Sequence, residues 1–235
     1  MDMSDHDLAV AFENHSSTSE AHGCSDLDLQ IVRRLDWRYL FPDPRLRRVA
    51  CVGAQDGELV SALKRFSEFL EIVPSCNGTL PSPRMEPLFD WIVLQSSSQQ
   101  DLQLAGDLLK PGGYLYWEVD RRSSRRLNRE SRSRTRQNGA SRVRFIRTYC
   151  RRLEWLGFSE IAAYWHRPNF QKCLEIIPIQ DPCALHHVFS RPRSDFSGRL
   201  KLAAGRVLSG SGILSLWVPC FSLAAKKPAS PGTWL

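Results

Sequence analysis

A chain of 235 residues, 42% of them hydrophobic, suits one domain with room for an insertion, and it carries enough apolar side chains to bury a core. Its seven cysteines contain no C-x-x-C pair, and the N-terminus MDMSDHDLAV has acids where a secretory signal has positive charge; neither a zinc site nor a disulfide framework is expected. The net charge of +7 is segregated: residues 1–30 hold seven acids and no Lys or Arg, while residues 121–152 hold thirteen arginines and one acid, Glu130.

Residues 1–24 are polar and aperiodic and read as a disordered acidic arm. The domain is expected over 25–228, with a tail at 229–235. Ser25-Asp26 caps a first helix, whose apolar side is Leu27, Leu29, Ile31, Val32 and Leu35 and which ends before Pro42-Asp43-Pro44. Alternation follows. "RVACVG" is a strand, "DGELVSALKRF" a helix and "EFLEIV" a strand closed by Pro74. "NGTLPSPRMEP" is loop by composition. "FDWIVLQ" is a buried strand, "SQQDLQLAGDLLK" a helix stopped by Pro111-Gly112-Gly113, and "YLYWEV" a strand. After the Arg/Ser stretch come the helix "RFIRTYCRRLEWLGF", the strand "SEIAAYW" and, near the end, the strand "CFSLAAK". Strands alternating with helices imply an α/β fold: a doubly wound, mostly parallel sheet with helices on both faces.

Ligands of such sheets bind at the carboxyl ends of the strands. Here that edge comprises the turn from Gly53 to Gly57, the end of the second strand near Glu71, Gln95 to Ser98, and Glu118 to Asp120. A glycine turn at a helix N-terminus offers free N–H groups, and Gly57 permits close backbone approach or a positive φ. Equally, two glycines can do no more than turn a strand into a helix.

The order "VACVGAQDGEL", "FDWIVLQ", "LAGDLLKPGGYLYWEV", "CRRLEWLGFSEIAAYWHRP", "PCFSLAAKKP" resembles the class I S-adenosylmethionine-dependent methyltransferase family, over roughly 45–166 and 218–228, as a divergent and abbreviated member. The most specific block is Leu108 to Gly113. The resemblance implies a Rossmann-like sheet with an antiparallel last strand and S-adenosylmethionine as cofactor. Gly53, Ala54, Gln55 and Gly57 would shape the methionine-side turn, with Gln95 and Ser96 along the reaction edge. The chain departs from the pattern where Cys51 replaces an acid, Gln55 a glycine and Pro74-Ser75 the acid ending the second strand. The 15 residues between Val73 and Phe89 leave little room for the usual helix and third strand.

In-line methyl transfer needs alignment more than side-chain chemistry, because the sulfonium is already activated. An oxygen or carbon acceptor calls for a base, and His166, Glu118 and Asp120 are the candidates. His186-His187 lack a carboxylate or thiol at ligand spacing, so no metal is expected. The expected acceptor is a small molecule or saccharide, held by an insertion at 167–218 that packs on the sheet, caps the pocket or faces lipid. The alternatives are a catalytically inactive methyltransferase-like scaffold and an RNA-modifying enzyme. Both draw on the Arg-rich stretch 121–152, read either as an anion-binding patch or as a solvated loop at 121–144; as a separate hypothesis, the acidic arm folds onto this stretch and masks it. That loop has no interleaved aromatics to stack bases. With no apolar run near ~20 residues, no membrane span is expected, and a reducing cytoplasm is the expected setting.

Overall fold

A computed structural model describes residues 26–54, 56–76, 88–120, 146–190 and 218–229. The acidic arm, Gln55, the loop 77–87, the Arg-rich stretch 121–145 and residues 191–217 of the insertion lie outside the described residues.

Among the described residues seven strands form one sheet: β1 (Leu46–Val52), β2 (Ser67–Val73), β3 (Phe89–Leu94), β4 (Leu109–Asp120), β5 (Ser159–Arg167), β6 (Glu175–Pro178) and β7 (Cys220–Lys226). Their order is β2-β1-β3-β4-β7-β5-β6. β1, β2, β3 and β4 pair in parallel, and β7 runs antiparallel between β4 and β5. This is the expected doubly wound, mostly parallel sheet with an antiparallel last strand. The chain steps from β1 outward to β2, then back across β1 to β3. The switch in direction therefore falls between the carboxyl ends of β1 and β3, where such sheets open a ligand crevice.

One face is covered by α1 (Asp26–Arg33), a 3-10 turn (Asp36–Leu40) and α2 (Gly57–Phe66). The sequence reading ran the first helix unbroken to Pro42. It instead turns after Arg33, and the change of path drives Leu35, Trp37 and Phe41 into the core. Trp37 stacks on Tyr116 at 4.0 Å and 8° and meets Trp91 and Phe41 at tilted and edge geometry. α2 buries Leu59, Ala62 and Leu63, at helical spacing, on the same cluster. The other face carries α3 (Gln99–Leu108), α4 (Ile146–Trp155) and α5 (Pro182–Ser190), whose Leu102, Ala105, Leu108, Ile146, Tyr149, Leu153, Leu185 and Phe189 form the second core layer.

One further expectation is corrected. Pro111-Gly112-Gly113 does not precede β4 but lies within it: α3 stops at Leu108 and the strand begins at Leu109. The pairing jumps from Phe89↔Leu109 to Trp91↔Tyr114, so Lys110 to Gly113 bulge out of the ladder. A Cβ on Gly113 would stand 2.9 Å from the Asp90 carbonyl oxygen and 2.8 Å from Leu109 Cδ1, which is why the bulge needs glycine there. Part of the insertion is regular structure, since β6 adds an antiparallel edge strand on β5 and α5 packs Leu185 and Phe189 onto the core. At the opposite edge β2 pairs only with β1 among the described residues; the loop 77–87, where the sequence leaves little room for a further helix and strand, lies outside them.

Candidate functional site

The structure brings Gly53, Ala54, Gln95, Ser96, Glu118 and Asp120 to one edge of the sheet, at the switch in strand order. Gly53 leaves β1 at φ +66, a backbone region that favours glycine. Its N–H bonds to the Val73 carbonyl at 2.9 Å, and Gln95 N–H bonds to the Val52 carbonyl at 3.0 Å, so the ends of β1, β2 and β3 are tied together. A Cβ on Gly53 would lie 3.0 Å from Ser96 Cβ and 3.8 Å from Ser75 Cβ. Ala54 packs on the core cluster beneath the turn.

Gly57 behaves differently from the expectation. It is the first residue of α2, exposed, without a positive φ, and a Cβ there would meet nothing within 4 Å. The helix start is specified instead by Asp56, whose carboxylate accepts from the N–H groups of Glu58 and Leu59. Gly57→Ala should therefore raise stability by about 0.5–1 kcal/mol through the loss of glycine's unfolded-state freedom. A urea titration of both proteins checks it, and a lower midpoint for the variant would show a backbone demand at this position.

The centre of the site is a residue that sequence reasoning missed. Arg34, just past α1 and 3% exposed, grips both oxygens of Glu118 at 2.6 and 2.7 Å. Its Nε donates to Asp56 Oδ2 at 3.0 Å. Gln95 closes the figure, with Nε2 donating to Glu118 Oε2 at 2.9 Å and Oε1 accepting from Asp56 N–H at 3.3 Å. Arg34, Asp56, Gln95 and Glu118 thus form a closed hydrogen-bonded ring across four chain segments. Burial alone would make the guanidinium easier to deprotonate, but the charge and hydrogen bonds of Glu118 and the nearby Asp56 outweigh it and raise the pKa. The same surroundings push the buried Cys51 thiol up to about 12, first through desolvation and then through Glu118. Cys51, which stands where the resembled pattern has an acid, is a protonated, core-packed side chain.

A second cluster adjoins the ring on the same sheet face. His166 was expected just after its strand; it lies inside β5, 2% exposed. Its Nε2 lies 2.8 Å from Ser222 Oγ and 3.3 Å from Tyr116 Oη, and its Nδ1 is 3.4 Å from Cys173 Sγ. Burial, with Arg34 nearby, lowers its pKa to about 3. A neutral imidazole with so little basicity is a poor proton acceptor, so His166 is corrected from candidate base to buried structural polar group. Glu118 is corrected likewise, since both its oxygens are engaged by Arg34. Of the candidate bases, Asp120, at the end of β4 and half-buried, keeps its place at the edge.

The His166 shift has a consequence for stability. The unfolded chain takes up a proton near pH 6.5, whereas the folded imidazole resists until about pH 3. Its stabilising contribution is therefore full above pH ~6.5 and is lost as pH falls toward 3, on the order of 4 kcal/mol across that window. His166→Gln should flatten this part of the pH–stability curve measured by denaturant titration, and an unchanged slope would show that the ring is solvated.

On the far side of Gly53, Asp101 in the first turn of α3 is fully buried. It accepts from Ser75 Oγ and, at 2.7 Å, from Cys76 N–H. Burial raises its pKa, but hydrogen bonds from Ser75, Ser96 and Cys76 outweigh this and hold the carboxyl below its usual range. The segment after β2, where the resembled pattern has an acid, is thus pinned to α3. His186 and His187 sit on the exposed side of α5. Among the described residues no group of three or more His, Cys, Asp or Glu gathers as a metal site, and no helix is long and apolar enough to cross a membrane.

No family model and no curated protein matches the sequence. Among solved structures, the chain is similar to an S-adenosylmethionine-dependent methyltransferase from Thermotoga maritima, described as a possible histamine N-methyltransferase, at 12% identity and a TM-score of 0.44, over 84% of this chain and 89% of that one. A second, from Archaeoglobus fulgidus, gives 16%, 0.46, 84% and 94%. The phosphoethanolamine N-methyltransferase 2 of Haemonchus contortus gives 14% and 0.42 over 85% of this chain and 52% of that one. These are likenesses of outline. The class of this fold, a Rossmann-like doubly wound sheet, is set by its own strand order.

Proposed function

We propose that the protein binds S-adenosylmethionine at the carboxyl edge of β1 and β3 and transfers its methyl group to a small-molecule or saccharide-type acceptor. The observation that carries this reading is the switch in strand order between β1 and β3, where sheets of this kind bind ligands, with the left-handed Gly53 at the end of β1 and the hydrogen-bonded ring of Arg34, Asp56, Gln95 and Glu118 beside it. The ring holds two carboxylates and one guanidinium, and Asp101 adds a third carboxylate beyond Gly53. That balance suits a cationic ligand with N–H and O–H donors. It disfavours a nucleotide phosphate, the more so because Asp56 already occupies the N-terminus of α2. The residues present therefore fit S-adenosylmethionine: Gly53 and Ala54 would line its turn, with Gln55 and Gly57 flanking, and Gln95 and Ser96 its side. When bound, the cofactor supplies an activated methyl group on sulfur.

The chain's own part is to orient and to exclude water. Glu118 and His166 are not available as bases, which favours an acceptor arriving with a free lone pair; a saccharide hydroxyl would rely on Asp120. Calorimetric titration with S-adenosylmethionine and S-adenosylhomocysteine tests the reading. Saturable heat for both supports it, and the absence of heat and of any thermal shift at millimolar ligand removes it.

One observation favours a second reading, a methyltransferase-like scaffold without cofactor. Ser75 and Ser96 close on Gly53, and Asp101 holds the segment after β2 in place. On that reading the crevice is filled by the chain itself, and function rests on anion binding by the arginines of 121–152, of which Arg147 and Arg151 are exposed on α4. Salt-dependent binding to RNA or heparin in a protein that ignores both cofactor forms would favour it.

A further inference from the structure

We infer that Arg34 is a positioning residue that fixes Asp56, at the start of α2, against β4, so that the segment preceding the sheet completes the site. The inference rests on the methyl-transfer reading. Arg34 comes 22 residues before Asp56 and 84 before Glu118, and it touches both from a position just past α1. Asp56 is held three ways: its carboxylate by Arg34, the same carboxylate by the first N–H groups of α2, and its backbone N–H by Gln95. Gln95 in turn depends on Glu118, which depends on Arg34. Asp56 is therefore located relative to β3 and β4 by side chains. Arg34 also lies over the Phe170 ring at 5.7 Å, so the same guanidinium reaches the beginning of the insertion.

Only a planar fork with several donors makes these contacts at once. A lysine in its place keeps the charge but, as a single ammonium, does not span two carboxylates in this geometry. A purely structural ion pair would differ in affinity and not in stability: exchanged for apolar side chains of similar volume it costs little stability, and cofactor affinity would stay at the parental value.

The test exploits that difference. Arg34→Lys and the double variant Arg34→Met/Glu118→Leu are compared with the unmodified protein for urea midpoint and for calorimetric affinity toward S-adenosylhomocysteine. The expected result is a double variant close to the parent in midpoint but at least ~10-fold weaker in affinity, with Arg34→Lys weakened similarly. A stable double variant that binds as tightly as the parent overturns the assignment and leaves the methyl-transfer reading standing. If the double variant does not fold, parental affinity in Arg34→Lys has the same force. A folded parent that binds neither cofactor form removes the methyl-transfer reading, and the assignment with it.

Discussion

Glu118→Leu alone should lower the free energy of unfolding by about 3–5 kcal/mol, because it leaves the buried Arg34 guanidinium without its bidentate partner. Asp56 remains in reach of Arg34 but makes a single contact through Nε and Nη2 on one oxygen, and its side chain is 12% exposed against 4% for Glu118. Gln95 would lose the acceptor of its Nε2 as well. The cost is therefore that of a buried cation left with Asp56 as its remaining partner, rather than of one lost attraction. Denaturant titration at neutral pH reads it directly. A loss below ~1 kcal/mol would mean that water reaches the guanidinium and that the ring behaves like a surface pair.

Trp37→Ala should be comparably severe, at about 3–5 kcal/mol, since it empties the space between Tyr116, Trp91 and Phe41. Trp37→Phe should be far milder. The indole Nε1–H is buried without a hydrogen-bond partner among the described residues, so the smaller ring removes a donor unpaired there along with some volume. The two variants together separate packing from polarity. Equal losses for Ala and Phe would show that the indole's full size is required, and a loss for Ala near that of Phe's expected small value would show that the layer collapses to fill the gap. Because Tyr116 also contacts His166, Trp37→Ala should loosen the sheet face beneath the site.

How much of this was legible in the sequence follows from the range of the interactions involved. The alternation of apolar strands with helices of regular period marks local structure that each segment specifies for itself, so β1, β3, β7, α2 and α3 lie close to where the pattern put them. The turn at Gly53 was legible for the same reason. Gly57 was misread because a glycine beside a helix start looks the same whether it is needed or tolerated, and the capping work is done by the Asp56 beside it. β4 was cut short because Pro-Gly-Gly usually breaks a strand; here a bulge against β3, with Lys227 bonding to Gly112 and Gly113, carries the ladder through. β6 and α5 are short, and their apolar residues show little periodicity until the sheet supplies the face they cover.

The site was half legible. Gln95, Ser96 and Glu118 stand at strand ends, where a doubly wound sheet puts its ligand, and no partner is needed to see that. What those residues do was hidden, because it depends on Arg34, which the chain offers as an ordinary basic residue near a helix end in "IVRRLDW". His166 shows the same limit. A histidine between Trp165 and Arg167 gives no sign that Ser222, 56 residues further on, waits across the strands. Asp101 likewise reads as a first-turn acid of α3, and only the fold shows Ser75 and Cys76 brought onto it.

The most direct measurement is a hydrogen-exchange comparison of the protein with and without saturating S-adenosylhomocysteine. If the cofactor lies at the switch in strand order, exchange should slow in 53–60, 73–76, 95–98 and 118–120 together. No change in those four segments, or a change confined to the Arg-rich stretch 121–144, would contradict cofactor binding at this edge.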